Sequence, residues 1–100
     1  MKAADIIAPI AMSIEAAIEE HGLNRNQFLR QIRRAVARCP RPEATTPAER
    51  VAHRVISTAV VYNSYAGDAL RLLDDVEERL ILTHRQVAAA EEFIQREELA

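Results

Sequence analysis

The residues of this chain that could perform chemistry are three histidines, one cysteine and fifteen carboxylates. His21, His53 and His84 fall in different predicted helices, and none has a second histidine four positions away. The nearest arrangement to a paired ligand is Glu49 with His53, which share one helix face. A zinc or di-metal site needs three or four converging ligands. We therefore expect no metal site, and we interpret Glu49 and His53 as a surface helix pair.

Catalysis is equally hard to place on this sequence. The single Cys39 cannot form an intrachain disulfide, which favours a reducing, cytoplasmic location, and no histidine or helix N-terminus activates its thiol. Two glycines are too few for the loops that cradle phosphates. Asp74, Asp75, Glu77 and Glu78 fan round the solvent side of a predicted helix and do not converge. We expect a protein that is not an enzyme and has no cofactor.

Composition predicts the fold class. With 100 residues, 49% hydrophobic, and a surplus of alanine, leucine, arginine and glutamate over glycine and aromatics, the chain is expected to be a single all-α domain. The fold predicted is a small helical bundle of four or five helices with one long central helix. Near the N-terminus, Asp5, Pro9 and Glu15 interrupt the apolar residues, so neither a signal peptide nor a membrane span is expected.

The long helix is predicted from Thr46 to about Leu82. Thr46-Pro47-Ala48-Glu49 is typical of a helix start. Apolar residues then recur every three or four positions, and Val55, Ala59 and Tyr62 are expected at the centre of the core. Ile56, Val60 and Val61 lie off this stripe and indicate cover on several sides. The apolar stripe comprises Val51, Val55, Ala59, Tyr62, Ala66, Ala69, Leu73, Val76 and Leu80.

A helix of that length would extend roughly 54 Å, which one small monomer cannot cover. Two alternatives follow. Either the helix breaks at Gly67-Asp68, with Gly as C-cap and Asp as the next N-cap, or it stays whole and a second subunit covers its far half.

Three further helices are expected. The first begins between Ala4 and Pro9 and ends at Gly22, and the second is capped by Asn24 with Gln27 completing a capping box. A last helix is predicted to start at Thr83 and to turn its apolar residues inward. These residues are Val87, Ala90, Phe93 and Ile94.

The second helix separates two kinds of side chain. Its predicted inner arc contains Phe28, Leu29, Ile32, Ala35, Val36 and Cys39, and its opposite arc contains Arg30, Arg33, Arg34 and Arg38. Residues 24–42 carry six arginines and no acid, whereas residues 44–100 carry six arginines against ten acids. Because such a row is costly without acids between its members, we expect it to meet DNA, an acidic protein surface, or the acids at Asp68 to Glu78 of its own fold or of a sister subunit.

Residues 17–34, Ala-Ile-Glu-Glu-His-Gly-Leu-Asn-Arg-Asn-Gln-Phe-Leu-Arg-Gln-Ile-Arg-Arg, resemble a helix-turn-helix of the bacterial repressor type. Gly22 falls at the turn, and Phe28 at an inward site of the second helix. The resemblance implies a DNA-binding regulator, dimeric through the long helix, whose base-reading residues are Asn24, Arg25, Asn26 and Arg30. Ile18, Gln31 and Leu29 depart from the family pattern.

In size and texture the chain also resembles small inhibitors encoded by phages and mobile elements, such as the anti-CRISPR inhibitors of surveillance complexes. That resemblance implies a stoichiometric binder of a nucleic-acid-binding partner. The leading hypothesis is therefore a non-enzymatic, cytoplasmic interaction protein that binds and inhibits or regulates a protein partner through charged helix faces. The alternative is the helix-turn-helix regulator, and a homodimer is compatible with both.

Overall fold

The computed structural model describes residues 3–39, 43 and 46–99. Four helices follow one another in this part of the chain, with no strand between them. They are α1 (Ala3–His21), α2 (Arg25–Arg38), α3 (Pro47–Val61) and α4 (Ala69–Leu99). The all-α class is confirmed. None of these helices combines the length and the apolar character that crossing a membrane requires.

The helices pack as two pairs that share one core. α2 lies mainly on α3 and α1 mainly on α4, whereas α1 and α2, although consecutive, scarcely touch. The buried side chains form one cluster, to which α1 contributes four residues, α2 four, α3 five and the first part of α4 four. The largest of them are Phe28, Ile10, Ile14, Ile32, Leu72, Leu73, Leu80, Val55 and Val76.

The turn between α1 and α2 follows the sequence prediction closely. Gly22 has φ +60°, and the Leu23 N–H donates to the Ile18 carbonyl over 3.1 Å, which is the hydrogen bond of a Schellman C-cap. Asn24 Oδ1 then accepts the Gln27 N–H at 3.0 Å. The first helix begins earlier than predicted, at Ala3, so Pro9 lies inside it.

The predicted long central helix is interrupted, so of the two alternatives the break is right. α3 starts as predicted, with the Glu49 N–H donating to Thr46 Oγ1 at 3.2 Å, but it ends at Val61. Residues 62–68 form a turn, in which Gly67 at φ +85° donates its N–H to the Ala59 carbonyl. Asp68 caps α4 by accepting the Arg71 N–H at 3.1 Å. Gly67 therefore ends the turn and is not the C-cap of α3.

The turn changes which residues near it are covered. Tyr65, whose side chain points into the core, is 4% exposed, whereas Tyr62 is only partly buried. Val55 and Ala59 are fully buried, as predicted, and Ile56 packs against the core. The expected cover on several sides is wrong for Val60 and Val61, since both are largely exposed. Bending at this point brings the start of α4 back against α1 and α3, so no sister subunit is needed to bury it.

The predicted boundary at Thr83 is wrong. α4 runs through it without interruption, and Thr83 Oγ1 donates to the Arg79 carbonyl one turn earlier, as a threonine inside a helix does. The fifth helix therefore does not exist as a separate element. Val87, Ala90, Phe93 and Ile94 do not turn inward but lie exposed, because α4 continues beyond the helices that cover its first half.

Candidate functional site

Helix α2 presents two chemically different faces. Its buried face holds Phe28, Ile32, Ala35 and Val36 against the core. Arg30, Arg34 and Arg38 are exposed on the other side. Because they are spaced by four residues, they follow one another about every 6 Å along the helix and span about 12 Å. We call these three residues the arginine stripe.

Arg33 belongs to the same row in sequence but has a different environment. Its guanidinium donates to Asp74 Oδ1 at 2.6 Å and to Glu77 Oε2 at 2.9 Å. The hydrogen bonds to Asp74 and then to Glu77 raise the pKa of Arg33 above its ordinary value. Arg33 thus joins α2 to α4, which is the pairing within the fold that the acidic residues after Asp68 suggested.

The arginine stripe has no such partner in the part of the chain that the structure describes. The ion pairs there involve Arg25, Arg33 and Arg96, and no carboxylate lies within 4.0 Å of the arginine stripe. Like charges four residues apart destabilise a helix by about 0.2–0.5 kcal/mol per pair. The stripe contains two such pairs, Arg30/Arg34 and Arg34/Arg38. Its cationic surface therefore lowers the stability of α2 slightly.

A cleft of about 360 Å³ lies beside the C-terminal part of the stripe. Its floor is apolar, with Phe28 and Ala35 from α2 and Ala48 from α3. Arg34 and Arg38 border it on one side. The remaining lining residues are Leu23, Gln31, Thr46, Pro47 and Glu49. The arrangement combines the guanidinium groups of Arg34 and Arg38 with an apolar recess, and the Glu49 carboxylate also borders it. The two arginines can hold the anionic group of a ligand that also carries an apolar group.

The four residues of the helix-turn-helix alternative do not share one environment. The Arg25 guanidinium donates to the Leu80 carbonyl at 3.0 Å and lies 3.8 Å from Glu15, and the Asn24 side chain caps α2. Asn26 and Arg30 are exposed. Two of the four side chains are therefore engaged within the fold, and two face solvent.

Cys39 also differs from its sequence interpretation. It was expected on the inner arc of α2, but it is the left-handed C-cap of that helix, with φ 52°, and it is exposed. Because α2 ends at Arg38, the Cys39 side chain lies outside the helix and away from the core.

No signal in the sequence separates Arg33 from its neighbours, because its carboxylate partners lie 41 and 44 residues away.

One further observation bears on metal binding. Within residues 3–39, 43 and 46–99 there is no group of three or more His, Cys, Asp or Glu side chains that could hold a metal ion.

Comparison with protein-family models, with curated protein sequences and with solved structures finds no match. The functional assignment therefore depends on the geometry of this chain alone.

Proposed function

We propose that this chain is a non-enzymatic interaction protein that acts in the cytoplasm and binds a protein partner through the arginine stripe of α2, thereby inhibiting or regulating that partner. The observation that carries the proposal is the contrast on one helix between Arg33, neutralised by Asp74 and Glu77, and the exposed stripe of Arg30, Arg34 and Arg38 without a carboxylate in reach. An anionic surface on the partner would supply the missing charges.

The chemistry of the partner's segment follows from the surroundings of the stripe. Arg34 and Arg38 border an apolar cleft, so a segment with acidic residues and one apolar side chain fits better than a purely anionic one. Guanidinium groups bind carboxylates through paired hydrogen bonds. We therefore expect an acidic peptide or helix face whose apolar side chain enters the cleft between α2 and α3.

Three features favour protein over DNA as the ligand. The stripe extends to the last residue of α2, whereas a recognition helix reads bases mainly with its first residues. Arg25 is hydrogen-bonded to the α4 backbone. The chain carries a formal net charge of −2, which gives no general attraction to a polyanion.

The test compares two double variants of equal charge change. The stripe variant is the full chain with Arg30→Glu and Arg34→Glu. The control variant is the full chain with Arg50→Glu and Arg71→Glu, which change two exposed arginines on α3 and α4. Partners are captured from native cells, identified by mass spectrometry and measured as purified proteins. We expect the stripe variant to slow association about tenfold or more and the control to change it little.

The same preparations are tested with labelled duplex DNA. Equal partner binding by both variants, with normal folding, would contradict the proposal. DNA binding that is lost in the stripe variant and weakens by about 0.9 log unit per log unit of salt for each phosphate neutralised would replace it with the helix-turn-helix function.

A further inference from the structure

A cleft of about 320 Å³ lies where the start of α2 meets the middle of α4. α2 contributes its N-cap and its first two residues. α4 contributes one apolar side chain and two basic ones. We call this space the basic cleft, and its lining residues are Asn24, Arg25, Asn26, Ile81, His84 and Arg85.

No carboxylate is among the described residues that line the basic cleft. Three other clefts of the molecule differ in this respect. The cleft beside the arginine stripe includes Glu49, and a cleft next to Arg33 includes Glu77. The cleft between α1 and α4 includes Asp75 and Glu78. The basic cleft therefore offers hydrogen-bond donors and positive charge without an acid to compete for them.

The fold holds Arg25 in place at one wall of the basic cleft. Its guanidinium donates to the Leu80 carbonyl at 3.0 Å, and its side chain remains 31% exposed. A guanidinium has five N–H donors, so this bond leaves others for a ligand. The Glu15 carboxylate lies 3.8 Å from Arg25, which is beyond hydrogen-bond distance, and does not line the cleft. A donor that is already positioned loses less freedom when a ligand binds.

The opposite wall comes from one face of α4. His84 and Arg85 follow Ile81 by three and four positions, so the three side chains are neighbours on the helix surface. Both basic residues are exposed, and no carboxylate of the described residues lies within 4.0 Å of either. Ile81 is 50% exposed and gives the cleft an apolar part. Two arginines on different helices thus border one space.

We propose that the basic cleft binds a small phosphate monoester, with the phosphate between Arg25 and Arg85 and the uncharged part of the ligand on Ile81. Guanidinium groups pair well with phosphate oxygens, and the Asn26 amide and the His84 ring can donate further hydrogen bonds. A phosphate monoester has three terminal oxygens and nearly two negative charges, which match these donors better than the two oxygens of a carboxylate. The volume suits a phosphate with a small ring attached.

The shape of the basic cleft favours a small ligand over nucleic acid. A nucleic-acid backbone presents diester groups of one charge each in a row, and it is bound by cations spread along a track. Here the two arginines lie around one space instead. The basic cleft does not include Arg30, Arg34 or Arg38, so this inference does not depend on the function proposed for the arginine stripe.

The probe for the first experiment is phenyl phosphate, which joins a phosphate to an apolar ring. Inorganic phosphate and phenol each represent one half of it. Amide signals of the ¹⁵N-labelled full chain are followed by NMR at an ionic strength kept constant with sodium chloride. We expect saturable shifts at Asn26, Ile81 and Arg85 with phenyl phosphate, weaker binding of inorganic phosphate and no binding of phenol. The signals of Arg34 and Arg38 report any binding at the arginine stripe separately.

Two arginine variants of equal charge change test the contact. Arg85→Gln should weaken the binding of phenyl phosphate in the basic cleft by about tenfold or more, because it removes a charged donor. Arg79→Gln is the matched control on the same helix. Arg79 is exposed and lines the other cleft of α4, with Asp75 and Glu78, so its loss should leave the affinity nearly unchanged.

Asn26→Asp separates binding from folding. A carboxylate in the first turn of α2 is favourable to the helix, so the melting temperature should stay the same or rise. The same carboxylate would stand beside the bound phosphate and should abolish binding by repulsion. Loss of binding in a protein that melts no earlier than the wild type cannot be a consequence of unfolding.

The proposal is overturned if phenyl phosphate causes no saturable shift in the basic cleft, or shifts only Arg34 and Arg38. Equal weakening by Arg79→Gln and Arg85→Gln, or unchanged binding by Asn26→Asp, would also contradict it. Labelled duplex DNA is the last comparison. If DNA moves the signals of the basic cleft and phenyl phosphate does not, the cleft is part of a nucleic-acid interface and not a site for a small ligand.

Discussion

At the scale of single residues, the role of an arginine in this protein depends on what the neighbouring helix places beside it. Arg33 and Arg34 are adjacent in sequence and on the same helix. Arg33 meets Asp74 and Glu77 of α4, whereas Arg34 borders a cleft with an apolar floor. The first side chain joins two elements of the fold, and the second forms no ion pair within the described part of the chain.

Tyr65 gives a prediction at this scale. Its hydroxyl donates to Asp75 Oδ2 at 2.9 Å, and burial, followed by that hydrogen bond, raises the pKa of Tyr65 above the ordinary tyrosine value of about 10. The neutral phenol is therefore favoured in the folded state. Its contribution to stability is complete below pH about 10 and is lost as the pH rises from there through the raised pKa.

Tyr65→Phe should lower the free energy of unfolding by about 1 kcal/mol at neutral pH, through the lost hydrogen bond. The variant should also lose part of the fall in stability above pH about 10, since phenylalanine does not ionise. Urea unfolding of both proteins at neutral and alkaline pH measures this. Parallel pH dependences for wild type and variant would show that Tyr65 does not contribute.

At the scale of elements, the starts of three helices follow local hydrogen bonds. The length of α4 does not follow the packing of the other helices, since residues 84–98 are helical and exposed. Asn24, Thr46 and Asp68 cap the three helices that follow them, with their side chains accepting the N–H groups of Gln27, Glu49 and Arg71. Thr83 precedes a suitable glutamine but caps nothing, because the preceding turn of α4 is already helical and supported by the buried Leu80. A capping sequence therefore starts a helix only where the residues before it are not already helical.

The turn between α3 and α4 gives a pair of substitutions with opposite expected signs. Ala66 and Gly67 both have positive φ, at 47° and 85°, and a Cβ added at Gly67 would meet nothing within 4 Å. Gly67→Ala should destabilise by about 1 kcal/mol through backbone strain alone. Ala66→Gly should stabilise by a few tenths of a kcal/mol, since relief of strain exceeds the added freedom of the unfolded chain. Thermal or urea unfolding compares them, and equal signs would contradict the backbone argument.

At the scale of the whole molecule, the buried part is a core to which all four helices contribute. The arginine stripe is on the exposed side of α2, and residues 84–98 continue α4 beyond the helices that cover its first half.

A matched pair on α3 tests where the core lies. Val55 is fully buried and Val60 is 69% exposed on the same helix. Val55→Asp should cost more than about 4 kcal/mol, because it buries an unpaired charge, and that is a large part of the roughly 5–15 kcal/mol by which a domain is stable. Val60→Asp should change stability by about 0.5 kcal/mol or less. Circular dichroism melts measure both, and a well-folded Val55→Asp protein would show that the core is elsewhere.

The sequence by itself was enough to predict what depends on near neighbours in the chain. Those features are the all-α class, the capped starts at Asn24 and Thr46, the turn at Gly22, and the two faces of α2 between Phe28 and Arg38. Each depends on residues within about one or two helical turns, where propensity, capping and periodicity act.

Only the tertiary structure decided the features that depend on distant residues. α3 ends at Val61 rather than at Gly67, and the turn that follows buries Tyr65 and brings α4 back against α1 and α3. Arg33 does not belong to the arginine stripe, because it is hydrogen-bonded to Asp74, which lies 41 residues away in the sequence. The apolar stripe of α4 is core at Leu80 and surface at Val87 for the same kind of reason. Its periodicity is identical in both halves, and only the lengths and packing of the other helices determine where cover ends.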